Sequence, residues 1–129
     1  MNDLNDALRA ATSGMQAQAA RLRLVSENIA NTDTPGYHRK LASFETETSG
    51  DGKGTVSAGP VRLDRSDPER VYDPAHPLAD AEGYHLGSNV DLMIEIADAR
   101  EASRSYEANL KMFEQVREMQ TALLDLLRR

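Results

Sequence analysis

The sequence predicts a mainly α chain of the α+β class. Long N- and C-terminal helices pair as a coiled-coil-like hairpin, and a small irregular β insertion lies between them. Three observations carry this expectation. An apolar seam with 4-3-4-3 spacing runs from Leu4 to Ile29, and a second with 3-4 spacing runs from Ala99 to Leu127. All five prolines fall between the two seams, where neither helix could tolerate them. With 129 residues the chain holds one domain's worth of structure. The expected division is 1–31 for the first helix of a helical core, 32–88 for the β-rich insertion and 89–129 for the second helix.

The first seam reads Leu4, Leu8, Ala11, Met15, Gln18, Leu22, Val25 and Ile29, apolar at every step but Gln18. The Ala, Gln and Arg residues around it are good helix formers. The helix is expected to stop between Asn28 and Asn31, since Asn tolerates the left-handed conformation that closes helices and Thr34-Pro35-Gly36 follows as a turn. Alternation in 37–44 and in Val61-Arg62-Leu63 suggests short strands, with His38-Arg39-Lys40 as an exposed strand face. Ser49 to Gly54 reads as a flexible loop or hairpin tip. The insertion is expected to be held out at one end of the helix pair.

The second helix is marked at its start by Ser88-Asn89-Val90-Asp91, an S-x-x-D capping box. Its seam reads Ala99, Ala102, Tyr106, Asn109, Phe113, Val116, Gln120, Leu123 and Leu127, widened by Met112, Met119 and Leu126. The helix interface is therefore assigned to Leu4, Leu8, Ala11, Met15, Leu22, Val25 and Ile29 on one side. On the other it is assigned to Tyr106, Asn109, Phe113, Val116, Leu123 and Leu127. Gln18 and Asn109 interrupt the seams as polar register features. Two helices alone leave part of each stripe wet, so self-association is expected.

Composition excludes several functions. A net charge of −6 offers little to neutralise phosphate, so no nucleic-acid partner is expected. The absence of cysteine removes disulfides and thiol chemistry. No segment approaches the ~20 apolar residues of a lipid span, and the N-terminus lacks the charged start and apolar run of a secretory signal. No catalytic, metal or cofactor site is expected. The densest polar cluster, Asp73-Pro74-Ala75-His76-Pro77 continuing through Asp80, Glu82, Gly83 and His85, fits no standard ligand spacing. There is no Gly-x-Ser-x-Gly elbow and no P-loop. Two other classes stay open on the residues alone. One is a helical adaptor, and the other is a small metal-dependent enzyme built on Asp73, His76, Asp80 and His85.

The run Ser26 to Tyr37 resembles the signature of flagellar basal-body rod and hook proteins. The pattern of Asn, apolar, small, Asn, two variable residues and Thr-Pro-Gly-Tyr is met by Asn28, Ile29, Ala30, Asn31, Thr34, Pro35, Gly36 and Tyr37. The stretches Tyr72 to Pro77, Ala79 to Tyr84, Asn89 to Asp91 and Ser103 to Asn109 extend the likeness, leaving only 45–70 unconstrained. The resemblance implies a structural subunit of the rod, the drive shaft that transmits torque, and no enzyme. Asn28 to Tyr37 would be its assembly motif. It implies a place in the basal body, in the periplasm, after export through the flagellar type III apparatus without a cleaved signal peptide. The implied partners are other copies, the axial proteins FlgB, FlgF and FlgG, the junction protein FliE and the membrane ring.

Overall fold

The computed structural model describes residues 2–129. Helix α1 spans Asn2–Ala30 and α2 spans Leu92–Leu127, about 43 and 54 Å long at 1.5 Å per residue. They run antiparallel. Gln120 donates to Asn5 at 2.9 Å, and Arg21 pairs with Asp98 at 3.2 Å. Gly14 faces Asn109 between these points. Continuing the Gln120–Asn5 register carries Leu124 and everything after it past Asn2, so among the described residues the C-terminal turn of α2 has no helix opposite it.

Gly14 marks a close approach of the pair. A Cβ built there would sit 2.8 to 2.9 Å from three atoms of the Asn109 amide group. The remaining core is thin. Its buried apolar residues are Ala11, Ala17, Leu24, Val25, Ala102 and Val116, half of them alanines.

The insertion contains six short strands, β1 Lys40–Leu41, β2 Phe44–Thr46, β3 Val56–Ala58, β4 Arg62–Leu63, β5 Arg70–Tyr72 and β6 Tyr84–Leu86. They form three antiparallel two-stranded ribbons, β1–β4, β2–β3 and β5–β6. The first two are one long hairpin broken in the middle. Lys40 pairs with Leu63 and Leu41 with Arg62, whereas Phe44 pairs with Ala58. Residues 42 and 43 thus face the three residues 59 to 61, with Pro60, which has no N–H to give, at the centre of the bulge. A short 3-10 turn, Gly50–Gly52, forms the hairpin tip.

Three expectations need correction. The insertion is not held out at one end, because the β2–β3 ribbon folds back along α1, where Ser13 Oγ accepts the Val56 N–H at 3.0 Å. The small side chains of Ala7, Ala10, Ala11, Gly14 and Ala17 on that face let the ribbon come close, and Phe44 and Val56 line the groove between them. The start of α2 is not capped by Ser88. Asp91 is the N-cap, extended at φ −99°, and its carboxylate accepts from the N–H groups of Met93 and Ile94 at 3.0 and 3.4 Å. Ser88 is instead committed to the carbonyl of Thr32. Nor does a left-handed Asn close α1, since no non-glycine residue among those described has positive φ.

Candidate assembly site

The residues of the Asn28 to Tyr37 motif build the joint between α1 and the insertion. Asn31 closes the helix through its backbone N–H, which bonds the Glu27 and Asn28 carbonyls at 3.1 and 3.2 Å. Its side-chain amide donates to the Glu27 carbonyl at 2.8 Å. Thr32 Oγ1 donates to the Ile29 carbonyl at 2.8 Å, so the Glu27 and Ile29 carbonyls in the last turn of α1 are satisfied by side chains within four residues. Thr34 donates to Asn31 Oδ1 at 3.0 Å and ties the turn together. Pro35 and Gly36 then reverse the chain. Gly36 has φ +72° and donates to the Gly87 carbonyl at 3.0 Å, joining the turn to the strand end before α2.

Asn28 is the centre of the joint. It is 1% exposed, and all four of its side-chain hydrogen-bonding positions are used. Its Oδ1 accepts from the Lys40 N–H at 2.8 Å and from the Tyr37 hydroxyl at 2.9 Å. Its Nδ2 donates to the Lys40 carbonyl at 3.0 Å and to Glu95 Oε2 at 3.3 Å. Burial pushes the Tyr37 hydroxyl above its ordinary range, which keeps it protonated and donating. One side chain therefore stands in for a neighbouring strand to Lys40 and links it to both helices.

Glu95, in the first turn of α2, is fully buried. Arg39 Nε donates to its Oε1 at 2.7 Å, and the same guanidinium lies 3.6 Å from Asp98 and 3.8 Å from Asp64. Asn89 completes the ring of bonds. Its Oδ1 accepts the Arg39 N–H at 2.6 Å, and its amide donates to the Asp64 and Ser66 carbonyls at 2.9 and 3.1 Å. The side chain of Arg39 is thus turned into the joint, where the sequence suggested an exposed strand face. An arginine is needed there because three carboxylates converge on it.

The seam residues are placed unequally. Ala11, Val25 and Val116 are buried, and Leu4, Leu8, Met15, Leu22, Asn109 and Phe113 are half-buried. Ile29, Tyr106, Leu123 and Leu127 are exposed within the chain, Leu127 at 80%. Ala17 and Leu24, beside the seam, are buried although the spacing did not mark them. Ala30, Thr34, Pro35 and Gly36 of the motif are also exposed. Glu95 and Arg39 were missed by sequence reasoning. The signal for Glu95 was present, since one more step back along the Ala99, Ala102 seam lands on it, and a carboxylate in an apolar phase needs a buried partner.

The polar cluster of the β5–β6 loop is occupied with its own backbone. Asp80 accepts from the Glu82 and Tyr84 N–H groups at 2.9 and 3.0 Å, and His76 Nδ1 accepts from Leu78 at 3.1 Å. The His76 and His85 rings stack at 3.9 Å. Among the described residues no three His, Cys, Asp or Glu side chains are grouped to hold a metal ion.

Two long helices, the second with most of its large apolar side chains exposed, locked at one end to a short-stranded insertion, define a subunit completed by its neighbours in an assembly. Comparison with known proteins identifies the assembly. The family described as "Flagella basal body rod protein" matches residues 8–38, and "Flagellar basal body rod FlgEFG protein C-terminal" matches 81–126. The flagellar basal-body rod protein FlgC of Agrobacterium fabrum is 43% identical, over 99% of this chain and 98% of that protein. The FlgC proteins of Aquifex aeolicus and Salmonella typhimurium are 36% and 34% identical, over 92% and 90% of this chain and 93% and 92% of theirs. The chain belongs to the FlgC family of flagellar basal-body rod proteins and is a structural subunit of the rod.

Proposed function

We propose that the chain acts mechanically and not as an enzyme, as a proximal-rod subunit whose paired helices pack against neighbours and carry torque through apolar seams. The observation that supports this most directly is the exposure of Met112, Met119, Leu123, Leu124, Leu126 and Leu127 along α2. A monomer gains nothing from so much wet apolar surface, whereas a helical assembly buries it in contacts that do not close into a ring. The neighbours in this reading are FlgB, FlgF, FlgG and FliE together with the membrane ring, in the periplasm. The export route is the flagellar type III apparatus. It accepts unfolded chains without a cleaved signal, which suits a subunit with so thin a core. The joint around Asn28 and Glu95 fixes the angle between helix pair and insertion, so that torque is not lost in a hinge.

Electron cryotomography of cells lacking the gene tests this. Basal bodies that stop at the membrane ring, and are restored by the intact gene, are expected. Complete rods and hooks in the deletion strain would overturn the reading.

A further inference from the structure

We propose that α2 carries a second docking stripe, on the side away from α1, that binds α2 of another copy of this chain in parallel and two heptads out of register. The inference rests on the rod-subunit reading for the requirement that the contact be open. The buried face of α2 runs through Glu95, Ala102 and Val116. On the opposite side, at the same 3-4 spacing, lie Arg100, Arg104, Glu107, Lys111, Glu114, Glu118, Thr121 and Asp125, every one of them exposed. Seven of the eight are charged. None of the seven makes an ion pair among the described residues, in contrast to Asp98 and Glu101 on the same helix, which both pair with Arg21.

Apart from Glu107, the charges are segregated along the axis. Arg100, Arg104 and Lys111 lie in the N-terminal half of the stripe, and Glu114, Glu118 and Asp125 in the C-terminal half. The separations Arg100 to Glu114, Arg104 to Glu118 and Lys111 to Asp125 are all fourteen residues. Fourteen residues is close to four helical turns, so a partner displaced by about 21 Å presents the same face at each of the three heights. In that register Glu107 meets the neutral Thr121, and Ala108 meets Ala122 on the flank, where small side chains let the helices approach.

The other parallel registers are worse. Without a shift every charge faces itself. A shift of one heptad sets Arg104 against Lys111, Glu107 against Glu114 and Glu118 against Asp125. An antiparallel pairing of the two stripes that joins Arg100 to Glu118, Arg104 to Glu114 and Glu107 to Lys111 also matches opposite charges. It closes a dimer, however, whereas the rod-subunit reading requires an open contact, and the parallel shifted one leaves the Arg100 end free on one copy and the Asp125 end free on the next. The exposed ion pairs select register and neighbour, and the apolar seams supply the adhesion.

The chain contains no cysteine, so introduced thiols report without background. Cells carrying the Ala108→Cys/Ala122→Cys chain as their sole copy are treated with a short bis-maleimide, and purified basal bodies are analysed for products containing only this chain. Dimers and longer ladders from the double variant, and none from either single variant, are expected. Dimers from Ala108→Cys or Ala122→Cys alone would overturn the proposal. In the double-cysteine background Arg104→Glu or Glu118→Arg lowers the cross-linked fraction about fivefold, and the two together restore it. Failure of that rescue would also overturn it. If the unsubstituted chain is present in basal bodies but the double-cysteine chain gives no ladder, only the stagger fails. If the unsubstituted chain is absent from basal bodies, the rod-subunit reading itself fails.

Discussion

Arg39 and Glu95 show at the residue scale why the joint tolerates a charge where a two-helix core has little else to bury. The carboxylate is inaccessible to water, and the Arg39 Nε at 2.7 Å and the Asn28 amide at 3.3 Å replace its hydration. Such a pair contributes little net energy but is costly to break from one side. Arg39→Met leaves the Glu95 charge uncompensated, and about 3–5 kcal/mol of stability is expected to go with it. Arg39→Met combined with Glu95→Leu removes both charges and should recover most of that loss. Urea denaturation of the two variants checks this, and equal destabilisation would mean the pair is not coupled. Gly36 is a second single-residue dependence of a different kind. No atom lies within 4 Å of a Cβ built there, so space is not the constraint, and φ +72° is. Gly36→Ala is therefore expected to cost about 1–2 kcal/mol through backbone conformation alone. Asn, which tolerates this region better, should cost less than Ala in the same denaturation series.

At the scale of elements, the spacing of α1 and α2 rests on Gly14 lying flat against Asn109. Gly14→Ala on its own sets a methyl 2.8 Å from the Asn109 amide and should destabilise the pair by about 1–3 kcal/mol. With Asn109→Ala already in place the same change should stabilise it by up to about 1 kcal/mol, the ordinary helix preference of Ala over Gly. A double-mutant cycle read by thermal denaturation would show this change of sign. The β5–β6 ribbon rests on a titratable group. Backbone N–H groups, that of Tyr84 foremost, hold the Asp80 carboxyl below its ordinary value of 3.8. The folded state therefore favours the ionised form. The resulting stability is present above pH 3.8 and is lost as pH falls through the lower folded value. An Asp80→Asn chain should show a flatter acid limb in melting temperature against pH, and an unchanged limb would remove Asp80 from the account. The two helices were legible in the sequence because apolar spacing over about seven to eight turns admits one reading. The joint was legible only in part. Asn28 to Tyr37 stood out as a motif, but its bonds to Gly87, Asn89 and Glu95 connect residues more than fifty positions apart, which no local pattern encodes. Strands β3, β5 and β6 have three residues each, too few for alternation to register, and they exist because a partner strand lies beside each, with α1 also beside β3.

For the whole molecule the question is which apolar residues hold the chain together and which join it to its neighbours. Val25 and Leu127 lie on the two helix seams, yet one is 5% and the other 80% exposed. Val25 lines a groove together with Glu95 and Asp98 of the partner helix, whereas Leu127 lies beyond the reach of Asn2, and none of the described residues covers it. The two positions should therefore fail differently when a charge is introduced. Val25→Asp places an unpaired carboxylate in the thin core and is expected to cost about 3 kcal/mol or more, enough to unfold a hairpin of this size. It should be lost from rods because it is lost as a folded chain. Leu127→Asp changes an exposed side chain and should leave the denaturation midpoint of the isolated chain within about 0.5 kcal/mol of the original. Its defect is expected only where a neighbour covers the end of α2. The variant should accumulate in cells and remain stable when purified, but incorporation into basal bodies should fall about tenfold or more, the consequence of burying an unpaired charge in an apolar contact. Incorporation of Leu127→Asp at the normal level, with normal motility, would mean that the exposed end of α2 stays wet in the rod. Adhesion between subunits would then have to be sought along Met112 and Met119 instead.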